Sequence, residues 1–256
     1  MQPLTFTFLG TGTSGGVPMV ACSCPVCSSP NVFDKRLRSS LLVQSSTTTV
    51  VIDATPDFRQ QMLTHGIKKL DAVVLTHAHK DHVGGLDDTR GFQYIQQQPT
   101  RIYGHAATLA GVKLELHYAF ADRVYPGVPQ IELITLTEEA FTIGDINFLP
   151  ILVWHHKMPV HGYRIGSFTY ITDANRIEDA ELKKMEGSEV LVLNALRHEP
   201  HISHFSLQEA VAIARRLQVP QTYFTHISHQ LGLHAQVNPS LPAGMALAYD
   251  GLVVCI

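Results

Sequence analysis

The chain has 256 residues, 45% of them hydrophobic, enough to bury one full core, so a single domain over residues 1–256 is expected. Its 19 basic residues are scattered within a net charge of -3, which leaves no electrostatic footprint for duplex nucleic acid. The opening MQPLTFTFLGTGTSGG has no basic segment ahead of an apolar core. No apolar run approaches the ~20 residues that cross a bilayer, so a soluble, cytoplasmic protein is expected.

In chain order, LTFTFL alternates and is β-rich, and GTGTSGGVP after it reads as a glycine-rich turn that lets backbone approach closely. SSLLVQSSTTTVVIDAT predicts two strands joined by a polar turn, and DFRQQMLTHG a short helix ended by Gly66. LDAVVLTHAHKDHVGG predicts a buried strand, Ala72 to Leu75, running into a polar loop. Further strands are expected at RIYGH, IELITL, INFLPILVW, GYRIGSFTYITDA, EVLVLNA, QTYFTHI and GLVVCI. IEDAELKKMEG and SLQEAVAIARRLQ have helical periodicity, the second with Ser206 and Glu209 spaced as a capping box. There is no repeat, low-complexity tract or long linker. So many strands with interspersed helices indicate an α/β or α+β layered fold, which two packed sheets flanked by helices would satisfy.

Histidine is in excess, with 15 copies, and three of the four cysteines crowd into ACSCPVC. Clustered thiols in a chain of this length read as metal ligands rather than disulfides. Cys255, in LVVCI, is expected to be buried as a small hydrophobe. The strongest signal is THAHKDHVGG. Alternate side chains of an extended segment face one way, so His77 and His79 can ligate one ion, while Asp81 and His82 beyond the bend can face a second. Imidazoles beside a carboxylate suit zinc, manganese or iron rather than calcium.

This H-x-H-x-D-H pattern resembles the metallo-β-lactamase superfamily, and the resemblance extends along nearly the whole chain in family order. It implies a four-layer αββα sandwich with two divalent ions at one rim. HHKMPVHGY has a histidine six residues before a Gly-Tyr pair, which assigns His156 as third ligand of the first ion, with His155 its neighbour. TYITDAN implies Asp173 as the bridging carboxylate, and YFTHISH implies His226 as the last ligand of the ion held by Asp81 and His82. Asp53, closing TVVIDA, matches the family's supporting aspartate behind the histidine loop. As a residue alone it reads equally well as a turn aspartate capping TPDFRQQ.

Within the superfamily, LGTGTSGGVP, CSCPVC, HFSLQEA and THISH resemble the PhnP-like phosphodiesterases, which hydrolyse 5-phosphoribosyl 1,2-cyclic phosphate and similar phosphodiesters. That likeness implies a structural zinc on Cys22, Cys24, Cys27 and His229 in a loop at about 20–30, since closed zinc sites take four ligands. It also implies catalytic roles for Asp81 and for His204, the latter at the leaving group, two catalytic ions (zinc or manganese) that activate a hydroxide, and a homodimer. Arg197, His198 and His201 lie near enough in sequence to meet a phosphate. Two rival readings stand beside this one. RNase Z-type tRNA 3′ endonucleases share the loop and the metals but carry a basic Gly/Pro-rich arm that has no counterpart here. A non-hydrolytic binding or carrier protein could use the same scaffold.

Overall fold

The computed structural model describes residues 3–121, 125 and 127–256. Strands β1 (Thr5–Gly10), β2 (Ser40–Gln44), β3 (Thr49–Ile52), β4 (Ala72–Val74), β5 (Thr100–His105) and β6 (Ile131–Leu136) come first in the chain. After them come β7 (Phe141–Ile143), β8 (Ile146–His155), β9 (Met158–Ile165), β10 (Phe168–Tyr170) and β11 (Arg176–Ile177). The last four are β12 (Val190–Asn194), β13 (Gln221–Thr225), β14 (Met245–Leu247) and β15 (Val253–Cys255). Interspersed are helices α1 (Phe58–Thr64), α2 (Lys80–Val83), α3 (Arg90–Gln96), α4 (Ala106–Glu115), α5 (Asp179–Met185), α6 (Leu207–Leu217) and α7 (His234–Val237).

Two sheets result. One runs β15-β1-β2-β3-β4-β5-β6 and the other β11-β8-β9-β10-β12-β13-β14, with β7 paired to β8. Each path has three antiparallel pairings followed by three parallel ones. The repeat is one of pairing direction, which any apolar strand satisfies, so the side chains carry no trace of it. Parallel central strands are covered on both faces and must be apolar throughout. Accordingly β3 (TVVI) and β12 (VLVLN) are buried at every position.

Phe6, Phe8, Val50, Phe148, Tyr163 and Phe168 fill the space between the sheets, with the Phe6 and Phe168 rings stacked 3.8 Å apart. Outside one sheet, Phe58, Met62, Leu109 and Val112 of α1 and α4 cover Val51 and Val73. Outside the other, Leu182 and Met185 of α5 and Leu207, Ala210 and Ala214 of α6 cover Leu191 and Phe224. This is the αββα sandwich. The expected capping box is formed: Ser206 Oγ accepts from the Glu209 N–H, and the Glu209 carboxylate accepts from the Ser206 N–H at 2.8 Å. One expectation is overturned. Cys255 is exposed, because β15 is an edge strand paired only with β1.

Candidate metal centre

β4, β5 and β6 are parallel neighbours, so their carboxyl ends share one edge, and the histidine loop leaves that edge from β4. His79 precedes the single turn of α2 in extended conformation (φ -65°, ψ 148°), and the turn swings Asp81 and His82 to the inside. Behind them Asp53 is fully buried and accepts three hydrogen bonds, from the Thr76 N–H at 2.9 Å, the Thr76 hydroxyl at 2.8 Å and His82 Nδ1 at 2.7 Å. It therefore holds the loop, and the cap of α1 is Asp57 instead.

The other sheet supplies the remaining groups from equivalent strand ends. Asp173 follows β10 and His226 follows β13, both in the left-handed region at φ +54°. His82 Nε2 lies 3.2 Å from Asp81 Oδ2 and 3.2 Å from Asp173 Oδ2, and His226 Nε2 lies 3.1 Å from Asp173 Oδ1. Asp81, His82, Asp173 and His226 thus bring one ligand atom each to a common point, all within 4.8 Å of one another.

Beside this cluster the His77 and His79 rings meet edge to face with centroids 4.6 Å apart. The expected third partner is corrected. His156 is exposed, its backbone is left-handed (φ +59°), and only its N–H is engaged, with Asn175 Oδ1. His155, the last residue of β8, stands in its place, 5.1 Å from the His79 ring and 5.9 Å from the His77 ring. The Ser203 carbonyl, 2.9 Å from His155 Nδ1, orients that ring, leaving Nε2 as the free ligand atom. The physical reason is the strand itself: β8 runs through His155, and the chain turns only at the next residue.

The donor set fits cations. His77 Nε2, His82 Nε2 and both nitrogens of His226 are buried without hydrogen-bond partners. Burial opposes a charge on His82, but the carboxylates of Asp173, Asp53 and Asp81 outweigh it and raise its pKa well above the usual value. Burial likewise opposes the Asp173 carboxylate, and His226 and His82 hold it well below the usual range. A bound divalent ion takes the place of the protons such a cluster gathers.

A second cluster joins the cysteine loop to the far end of the chain. His229 Nδ1 lies 3.4 Å from Cys22 Sγ and 3.3 Å from Cys24 Sγ, and Cys27 completes the set. The Cys27 N–H and then His229 lower the Cys24 thiol to about 6, whereas burial raises Cys27 to about 11. Beneath the loop lie Val17, Val26 and Leu233, and four such donors suit a closed zinc site. Ser228, between His226 and His229, caps the turn that carries His229 by accepting from the Gln230 N–H. Ile227 bridges to Gly12 of the glycine-rich segment, its N–H donating to the Thr11 carbonyl and its own carbonyl accepting from Thr13. Gly10 and Gly12 there admit neighbouring backbone: a Cβ on Gly10 would lie 2.0 Å from the Arg38 carbonyl, and one on Gly12 3.0 Å from the Arg36 and Leu37 carbonyls.

A family model described as "Beta-lactamase superfamily domain" matches residues 48–227. The chain belongs to the metallo-β-lactamase superfamily. Within that superfamily it is PhnP-like: the crystal structure of a "new diphosphatase from the PhnP family" superposes with a TM-score of 0.92 at 43% identity, covering 98% of this chain and 97% of that one. An octanoyltransferase from Porphyromonas gingivalis is 38% identical over 251 residues, 97% of this chain. This metallo-β-lactamase chain spans about half the length of that relative (51%). Ribonuclease Z from Staphylococcus carnosus is 29% identical over 143 residues, 44% of its length.

In this metallo-β-lactamase centre His204 lies against histidines of both groups. Its ring lies 4.5 Å from His155 and 4.8 Å from His226, and its Nδ1 lies 3.7 Å from Asp173 Oδ1 with no hydrogen-bond partner. Burial and then His226 push its pKa down to about 3. Arg197 is engaged within its own loop and with Gln230, while His201 contacts the His204 ring at 5.2 Å. Sequence reasoning missed His155, and the only signal for it was adjacency to His156.

Proposed function

We propose that the chain is a dinuclear metal-dependent phosphodiesterase acting on a small cyclic phosphodiester such as 5-phosphoribosyl 1,2-cyclic phosphate. His77, His79 and His155 would hold one ion, Asp81, His82 and His226 the other, and Asp173 would face both. The observation that carries this reading is the convergence of Asp81, His82, Asp173 and His226 on one point beside His204. The high identity to a PhnP-family diphosphatase supports hydrolysis at phosphorus.

Divalent ions held by these residues would make water more acidic and offset the charge of a phosphodiester. Asp53 keeps His82 in one tautomer by accepting from Nδ1, so Nε2 faces the centre. Asp81 presents its carboxylate from the first turn of α2, where the amino end of the helix favours negative charge. His204 is neutral at pH 7, so its ring N–H would stabilise negative charge developing on the leaving oxygen by donating a hydrogen bond.

The test is a turnover panel of bis-p-nitrophenyl phosphate, a cyclic nucleotide, 5-phosphoribosyl 1,2-cyclic phosphate, a diphosphate-bridged ester and precursor tRNA, with metal-loaded protein. Small diesters should be hydrolysed and tRNA left intact. Cleavage of tRNA alone would favour the endonuclease reading, and binding without turnover a carrier. Asp81→Ala and His204→Ala should each lose roughly 100-fold or more in kcat. Full activity in both variants overturns the mechanism. We propose further that the protein is a homodimer, which sedimentation would test.

A further inference from the structure

We infer that His105, Glu138 and His161 form an additional divalent-metal site, separate from the metal centre and from the cysteine cluster. The three residues come from both sheets: His105 ends β5, Glu138 lies two residues beyond β6, and His161 is in β9. His161 Nε2 lies 3.0 Å and His105 Nδ1 3.6 Å from the same oxygen, Glu138 Oε1. One ligand atom from each residue falls within 4.8 Å of the others. The two imidazoles stack with centroids 3.2 Å apart and planes 12° from parallel, and their approach to the same Glu138 oxygen turns His161 Nε2 and His105 Nδ1 to one side.

Both imidazole side chains are largely enclosed (13% and 6% exposed), whereas the carboxylate is 53% exposed and gives an ion a path from water. Burial pushes both histidines down to about 4, so each is neutral at pH 7 and has a lone pair to offer. A buried pair of this kind that only donated hydrogen bonds to one carboxylate would leave both lone pairs unused. Two neutral imidazoles and a carboxylate are a donor set that suits zinc or cobalt, with an open fourth position, and disfavours calcium and magnesium.

The place in the fold agrees. β5 and β13 are equivalent in the two strand paths, so His105 ends β5 as His226 follows β13. The site also adjoins the histidine loop through backbone: the His161 N–H donates to the Thr76 carbonyl at 3.1 Å, one residue before His77. His105 Nε2 and His161 Nδ1 have no partner, so the hydrogen bonds that usually brace a ligand are missing. The site should therefore be weaker than the cysteine site and the first to empty under mild chelation.

The experiment counts metal in the full chain. Protein equilibrated with zinc and passed over a desalting column is assayed by elemental analysis, and chelator-stripped protein is titrated with zinc by calorimetry. Wild type should hold one equivalent more than His105→Ala and Glu138→Gln, and the weakest binding class should be lost or weakened roughly tenfold or more in both. Cys24→Ser should lose a different equivalent, so that the double variant His105→Ala with Cys24→Ser lacks two. An unchanged count and unchanged binding classes in a folded Glu138→Gln protein overturn the proposal, and that partly exposed position guards against a folding failure at His105. None of these readouts depends on phosphodiester turnover.

Discussion

Replacing Asp53 by alanine should destabilise the chelator-stripped protein by about 4 kcal/mol, although the residue touches no substrate. The variant strands three buried donors: the Thr76 N–H, the Thr76 hydroxyl and His82 Nδ1. The two neutral bonds contribute about 1 kcal/mol each and the charge-assisted one to His82 about 2. The left-handed backbone at Asp53 (φ +65°) adds about 1 kcal/mol for alanine, while removal of a buried charge returns a similar amount. Asp53→Asn retains the shape and one acceptor, so about half of the loss is expected. Because His82 loses the group that fixes its tautomer, metal affinity at the centre should also fall, by roughly 10- to 100-fold. Denaturant unfolding gives the first quantity and competition with a chromogenic chelator the second. If Asp53→Ala unfolds within ~1 kcal/mol of wild type and keeps its metal affinity, the supporting role argued for Asp53 is wrong.

His155→Ala should lower metal content and cut turnover, whereas His156→Ala, exposed and outside the cluster, should resemble wild type; elemental analysis with kinetics separates them. His229→Ala should lose one zinc equivalent and lower the melting temperature while the catalytic ions stay bound, readable by cobalt substitution and its thiolate absorption. His105 and His161 have folded-state pKa values of about 4 against an ordinary 6.5. Their contribution is complete above pH 6.5 and is lost as pH falls towards 4, because the unfolded chain takes up protons first. Discounted by about half for solvent at His105, the loss is roughly 4–5 kcal/mol for the pair, and a double Gln variant in stripped protein should flatten that slope of stability against pH. Gly85→Ala would set a Cβ 2.0 Å from the Thr55 carbonyl, and a fall of roughly 10 °C in thermal midpoint is expected.

The histidine loop was legible because its spacing and its place after an apolar run state the chemistry directly. The capping box at Ser206 and the glycine end of α1 were legible for a similar reason, since each is a local signal. His155 was not. Two adjacent histidines at a strand end point to opposite faces, and which one faces inward depends on where β8 stops, a property of its pairing with β9 across Trp154 and His155. Cys255 misled because an edge strand and a central one read alike when the apolar run is short. His105, Glu138 and His161 lie 33 and 23 positions apart in sequence and share no motif; only the packing of two sheets brings them together.

The bridge between Ile227 and Gly12 gives the segment around it an unexpected mechanical character. His226 and His229 stand on either side of a residue pinned to the amino-terminal turn, with Ser228 further tied to the Leu196 carbonyl. Both histidines thus stand beside one residue whose two backbone hydrogen bonds tie it to the amino-terminal turn, so a single anchor serves the metal centre and the cysteine cluster alike.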